Sequence, residues 1–127
     1  MKRLLLDTEA LIWWDAADTQ LGARARALIG DAADVYVSAA SAWEIAIKVA
    51  RGKLRTTRRP AQAVADAGFL ELPIGFEHAE AVSRLPPHHG DPFDRLIVAV
   101  AQVEGCAIVT SDARFLHYGV PVVDARQ

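Results

Sequence analysis

Only one cysteine, Cys106, occurs in the chain, so an internal disulfide is excluded and no zinc site can be built on paired thiolates. It lies in the apolar stretch 106–109 and reads as a small core residue in a reducing, cytoplasmic setting. No run approaches the roughly 18 apolar residues that a membrane helix needs. Asp7 and Glu9 interrupt the first apolar run, so no secretory leader is expected. Neither sign of charge dominates: 14 Lys and Arg against 16 Asp and Glu leave a formal net charge of −2. This balance argues against a generic nucleic-acid coat protein and leaves room for a local basic patch. The P-loop pattern, the dinucleotide-binding G-x-G-x-x-G and the nucleophile elbow G-x-S-x-G are all absent, which disfavours three large classes of enzyme. There is also no internal repeat and no low-complexity tract.

What remains is 127 residues, 52% of them hydrophobic, enough for one domain with its own core. Short runs rich in Val, Ile, Leu or aromatics predict strands at 3–6, 34–37, 69–74, 107–110 and 120–123. Helix-forming segments fall between them at 10–14, 23–29, 39–51, 61–67, 77–85 and 92–104. Gly52 and Gly105 are natural stops, and Pro86-Pro87 ends another helix. Trp43, Ile47 and Ala50 stand at helical spacing within the third of these. Alternating strands and helices imply an α/β fold, a mostly parallel five-stranded sheet between two helical layers.

Four acids sit at the ends of such elements: Asp7, Glu44, Asp94 and Asp112. Asp7 closes Leu4-Leu5-Leu6 and can also cap the helix that follows. The C-terminal edge of a parallel sheet is where ligands bind. Ser41-Ala42-Trp43-Glu44 matches a capping box, which would make Glu44 structural. If Ser38 is the cap instead, Glu44 moves nearly two turns inward and that account fails. Lys48 stands four residues on, at ion-pair spacing. Asp91-Pro92-Phe93-Asp94 reads as a helix start with Asp91 as cap and Pro92 in the first turn. Asp94 then begins a helix that is apolar nearly all round, and it needs a partner, either a cation or Arg95. Asp112 follows a strand and can cap the short turn 113–116. Ionised carboxylates packed a few ångströms apart raise one another's pKa values, and a hard divalent cation among them relieves the repulsion.

Arg51, Lys53, Arg55, Arg58 and Arg59 crowd one short stretch. They form either a solvated loop at a helix end or a patch that tracks phosphates. His88-His89 is expected in an exposed loop, since adjacent side chains point apart and no third ligand lies at zinc spacing. Two neighbouring tryptophans, Trp13 and Trp14, are not expected to face one core together, so one should be exposed at an interface.

Several blocks together bring a family into view: Leu5-Leu6-Asp7-Thr8, Val37-Ser38-Ala39-Ala40-Ser41-Ala42-Trp43-Glu44-Ile45-Ala46-Ile47-Lys48, Gly52-Lys53-Leu54, Leu85-Pro86-Pro87-His88-His89-Gly90-Asp91-Pro92-Phe93-Asp94-Arg95-Leu96 and Thr110-Ser111-Asp112. In their order and spacing the chain resembles the PIN-domain ribonucleases, and among them the VapC-type toxins of toxin–antitoxin pairs. The resemblance spans nearly the whole chain and implies a single domain over residues 1–127. It places an acidic Mg²⁺ or Mn²⁺ site on Asp7, Glu44, Asp94 and Asp112. It also implies a homodimer and a small antitoxin whose tail covers the site. Two departures stand out: Glu9 occupies a place where relatives often carry His, and Gly90 one where they tend to carry a basic residue.

The activity so implied is endonucleolytic cleavage of RNA by metal-activated water, leaving a 5′-phosphate and a 3′-hydroxyl. Ser38 and Thr110 would orient water or phosphate, and Lys48, Lys53 and Arg55 would contact the RNA. Two competing readings use the same residues. One is a non-catalytic binding module in which the acids serve as helix caps. The other is a metal-dependent phosphatase of small molecules, which suits the long basic stretch less well.

Overall fold

Leu4, Leu5 and Leu6 are all buried, which is what an apolar run without alternation demands of a strand covered on both faces. The computed structural model describes residues 3–127. The elements run β1 (Arg3–Leu6), α1 (Thr8–Asp15), α2 (Ala23–Asp31), β2 (Asp34–Ser38), α3 (Ala39–Ala50), α4 (Pro60–Ala67), β3 (Leu70–Leu72), α5 (Phe76–Val82), α6 (Pro92–Glu104), β4 (Ala107–Thr110), a 3-10 turn (Ala113–Tyr118) and β5 (Val122–Asp124). The five strands form one sheet in the order β3-β2-β1-β4-β5. Every pairing is parallel, with Leu6 opposite Val37 on one side and Val109 on the other.

Strand periodicity sorts the core into two layers. Leu4, Leu6, Val35, Val37, Ala107 and Val109 face a cluster made with α1, α2, α4 and Ile45 of α3. Leu5 and Ile108 face the other way, onto a cluster filled by Ile97, Val98, Val100 and Ala101 of α6 together with Leu85 and Phe115. The three-layer α/β architecture expected from the sequence is therefore present.

Strand and helix limits depart from expectation where prolines and turn hydrogen bonds intervene. β3 is limited to three residues. The Phe69 amide is spent on Val64 O in closing α4, and Pro73 has no N–H for the ladder. β5 begins after Pro121 for the same reason. α5 stops at Val82 because Ser83, Arg84 and Leu85 donate three residues back rather than four. Among the described residues no helix is long and apolar enough to cross a membrane.

Two expectations about aromatic residues fail. Trp13 is buried and Trp14 packs against the same cluster, its ring 5.4 Å from that of Phe69. α1 turns one tryptophan into the core and lays the other along the core's margin. The exposed tryptophan is Trp43, 61% accessible. The buried face of α3 is Ala40, Ser41, Glu44 and Ile45, not the Trp43, Ile47 and Ala50 stripe, because the helix turns its small and acidic residues toward the site.

Candidate metal centre at the carboxyl edge of the sheet

β1 and β4 lie side by side where the strand order reverses direction, the place at which open α/β sheets form a ligand crevice beyond the strand ends. Asp7 stands at the top of β1, its amide hydrogen-bonded to Val109 O at 3.0 Å. One of its oxygens accepts from the Ala10 amide at 2.8 Å and so caps α1. Burial pushes the Asp7 pKa up to about 6, against the pull of hydrogen bonds from Thr110 and Ala10.

Ser38 settles the alternative for Glu44. Its hydroxyl accepts from the Ala40 amide at 3.0 Å and it is the N-cap of α3. Ser41 lies inside the helix, so the capping-box account of Glu44 fails. Glu44 is buried and accepts a hydrogen bond from Thr8 Oγ1 at 2.7 Å. Thr8 Oγ1 also lies 3.1 Å from Ser41 Oγ. Lys48 Nζ approaches the other Glu44 oxygen at 3.2 Å.

Asp91 caps α6, accepting from the amides of Phe93 at 2.8 Å and Asp94 at 3.2 Å. Asp94 thereby starts the helix facing the crevice. Its pKa is pushed up to about 7, first by burial and then by the negative charges of Asp91, Asp7, Glu44 and Asp112. Asp94 thus registers the field of the other three acids of the set, brought from distant parts of the chain. Its partner is not Arg95, whose guanidinium donates to the carbonyls of Pro86, Val82 and Leu85.

The partner is His89, and here the expectation of an exposed histidine pair is corrected. His88 is exposed, but His89 is 4% accessible. Its Nε2 lies 2.9 Å from Asp94 Oδ2 and 3.1 Å from Asp112 Oδ2. One ring nitrogen of His89 and one carboxylate oxygen each of Asp94 and Asp112 lie within 4.8 Å of one another. Asp7 and Glu44 fall outside that tight group and reach Asp94 through their charge. Asp112 is also held by Arg114, through Nε at 3.1 Å and the terminal nitrogen at 2.9 Å. This pairing with Arg114 holds the Asp112 pKa down at about 2. The only sequence signal for His89 was its adjacency to Asp91 and Asp94, and a lone histidine carries no periodicity.

The residues expected to touch substrate divide into two groups. Ser38 and Thr110 are buried. Ser38 caps α3, and Thr110 Oγ1 accepts from the Asp112 amide at 3.0 Å, so both support the site from beneath. Lys48, Lys53 and Arg55 are exposed. Within the basic stretch Arg58 is structural, joining Asp15 of α1 at 3.3 Å to Asp66 of α4 at 2.7 Å. Glu9 faces solvent, yet its charge adds to the upward pressure on Asp7. Around Gly90 there is open space.

The donor set suits a hard divalent cation: oxygens predominate, and burial with mutual repulsion disfavours their ionised forms. Comparison with known proteins gives a consistent picture. A PIN domain family model matches residues 4–121. The chain is 31% identical to Ribonuclease VapC22 of Mycobacterium tuberculosis (strain ATCC 25618 / H37Rv), over 95% of each protein. Among solved structures it superposes on VapBC2 from Rickettsia felis bound to a promoter DNA fragment, with a TM-score of 0.71 at 14% identity, covering 95% of this chain and 97% of that one. A toxin–antitoxin complex from Klebsiella pneumoniae gives a TM-score of 0.64 at 21% identity, covering 96% and 97%. At those identities the two structures speak to the fold alone.

Proposed function

The chain belongs to the PIN-domain family as a VapC-type ribonuclease toxin of a toxin–antitoxin pair, and on that premise we propose that it cuts RNA at the acidic edge of the sheet with Mg²⁺ or Mn²⁺ held by Asp7, Glu44, Asp94 and Asp112. The observation that carries this reading is that Asp94, largely buried at the start of α6, feels the negative charge of Asp7, Glu44 and Asp112 in addition to that of its neighbouring cap Asp91. Nothing in a purely structural set of helix caps calls for that arrangement. Asp94, Asp7 and Glu44 would supply carboxylate oxygens to such an ion. Asp112, already engaged by His89 and Arg114, closes the set from outside. A divalent cation held there would supply Lewis acidity, lowering the pKa of a bound water toward neutrality and stabilising charge on the phosphate.

The chain's own part is to orient these groups. Thr8 fixes Glu44, the α1 cap fixes Asp7 and the Asp91 cap fixes the turn that presents Asp94. Lys53 and Arg55 receive the RNA backbone, and Lys48, half-exposed beside Glu44, adds a positive charge next to the acids. Ser38 and Thr110 act as supports of the carboxylates. A small cognate antitoxin neutralises the protein by covering this edge, a second copy completes a homodimer, and each copy works as one domain.

The test is cleavage of total RNA by purified protein with Mg²⁺ or Mn²⁺, with EDTA and with Asp94→Asn. Metal-dependent cuts bearing 5′-phosphates are expected, with a loss of at least about 100-fold in the variant, the scale on which a group acting in the transition state is felt. Equal cutting in EDTA, or by Asp94→Asn, rejects the site.

A further inference from the structure

His89 is buried among groups of the site but is not one of its acids, and its surroundings determine which ring nitrogen carries the proton. The Asp91 amide donates to His89 Nδ1 at 3.1 Å. A nitrogen that accepts a hydrogen bond has a free lone pair, so in the neutral ring the proton is on Nε2. That N–H donates to Asp112 Oδ2 at 3.1 Å, and Asp94 Oδ2 lies 2.9 Å from the same nitrogen. The ring is held in place by Phe115, edge to face at 5.8 Å and 78°. With Nδ1 engaged by the backbone and Nε2 protonated, neither nitrogen offers a lone pair to an ion.

We propose that His89 is a positioning residue: its Nε2–H, donated to Asp112 with Asp94 Oδ2 against the same nitrogen, ties the start of α6 to the end of β4 and sets the spacing of the carboxylates for the metal. This rests on the proposed metal site. Without the positive edge of the imidazole between them the two carboxylates repel each other, and the Asp94 side chain can rotate away. Hydrogen-bond partners of ligating groups orient them in this way, and their removal typically weakens metal binding about 10- to 100-fold.

The experiment is calorimetric titration of Mn²⁺ into the purified chain and three variants, with thermal melts to establish folding and RNA cleavage measured over a range of Mn²⁺. His89→Phe keeps the ring packing on Phe115 and removes the donor. His89→Gln places an amide N–H near the original Nε2 position. Asp94→Asn reports on the site itself. The expected result is an apparent Kd for Mn²⁺ raised about tenfold in His89→Phe and within about threefold of the parent in His89→Gln. The Mn²⁺ requirement for cleavage should rise in parallel while the KM for RNA is unchanged, a pattern that mere loosening of the fold does not produce. If Asp94→Asn loses Mn²⁺ and His89→Phe does not, the positioning role is overturned and the site stands. If Asp94→Asn binds Mn²⁺ like the parent, the site itself is wrong. Equal losses in His89→Phe and His89→Gln would mean that the imidazole is a direct ligand, which also overturns the proposal. Should His89→Phe not fold, His89→Gln decides alone, near-parent affinity supporting the proposal and a tenfold loss rejecting it.

Discussion

Asp94 is a carboxylate set where the protein alone disfavours its charge. Burial and neighbouring acids push its pKa up to about 7, so at pH 8 the metal-free protein keeps an ionised group that its surroundings resist. Asp94→Asn removes that charge while keeping the side chain's size. Its stability in EDTA at pH 8 is expected to rise, on the order of 1 kcal/mol after allowance for solvent screening. Urea unfolding measures this, and a fall in the midpoint would contradict the electrostatic account. A smaller strain of a different kind sits at Ala17, whose φ of 52° is left-handed. An L-residue there is disfavoured by roughly 1–2 kcal/mol, so Ala17→Gly should stabilise the fold by about 0.5–1 kcal/mol once the glycine's extra chain entropy is subtracted.

The elements are joined by contacts whose consequences differ widely. α2 begins at Gly22, whose amide donates to Ala125 O at 2.9 Å, while Arg24 donates to Gln127 O at 2.8 Å. The backbone of residues 126–127 passes so close to Gly22 that an added methyl would overlap it. Gly22→Ala should therefore cost about 1–3 kcal/mol as this packing is forced apart, read as a lower urea midpoint with an unchanged m-value. The stretch between α3 and α4 allows a sharper separation. Arg58 ties α1 to α4, and as an exposed ion pair it contributes at most about 1 kcal/mol. Arg58→Ala should leave the KM for RNA unchanged. Lys53→Ala combined with Arg55→Ala should raise that KM several-fold and flatten its dependence on salt, because phosphate contacts release counterions.

For the whole molecule, proton and metal binding are linked to folding. Asp7 and Asp94 titrate near 6 and 7 when folded and near the ordinary carboxylate value, about 3.9, when unfolded. Between roughly pH 4 and 7 the folded chain therefore holds more protons than the unfolded one, so stability falls as pH rises through that window. Asp112 has the opposite sign. Its pKa of about 2 gives stability above the ordinary carboxylate value that is lost as pH falls toward 2. In EDTA the melting temperature should consequently peak near pH 4–5 and decline toward pH 8. A divalent ion at 100 times its Kd contributes about 2.7 kcal/mol, so the decline should be visibly shallower in Mn²⁺. A melting temperature that rises from pH 5 to 8 in EDTA would remove the case for buried, mutually repelling acids.

Local sequence determined the elements and several of their ends. Unbroken apolar runs specify strands buried on both sides, and Asp7, Asp91 and Asp112 declare helix or turn starts because each cap depends only on amides two or three residues away. The block order that resembles the PIN family also pointed to the four acids before any coordinates. Tertiary structure alone decided which of two serines caps α3, how both Trp13 and Trp14 meet one core, and that His89 rather than Arg95 partners Asp94. The contacts that close the site join side chains 23 and 36 residues apart, as in His89–Asp112 and Thr8–Glu44. Such contacts leave no periodic trace in the chain, because they arise only when the parallel sheet brings the ends of its strands to one edge.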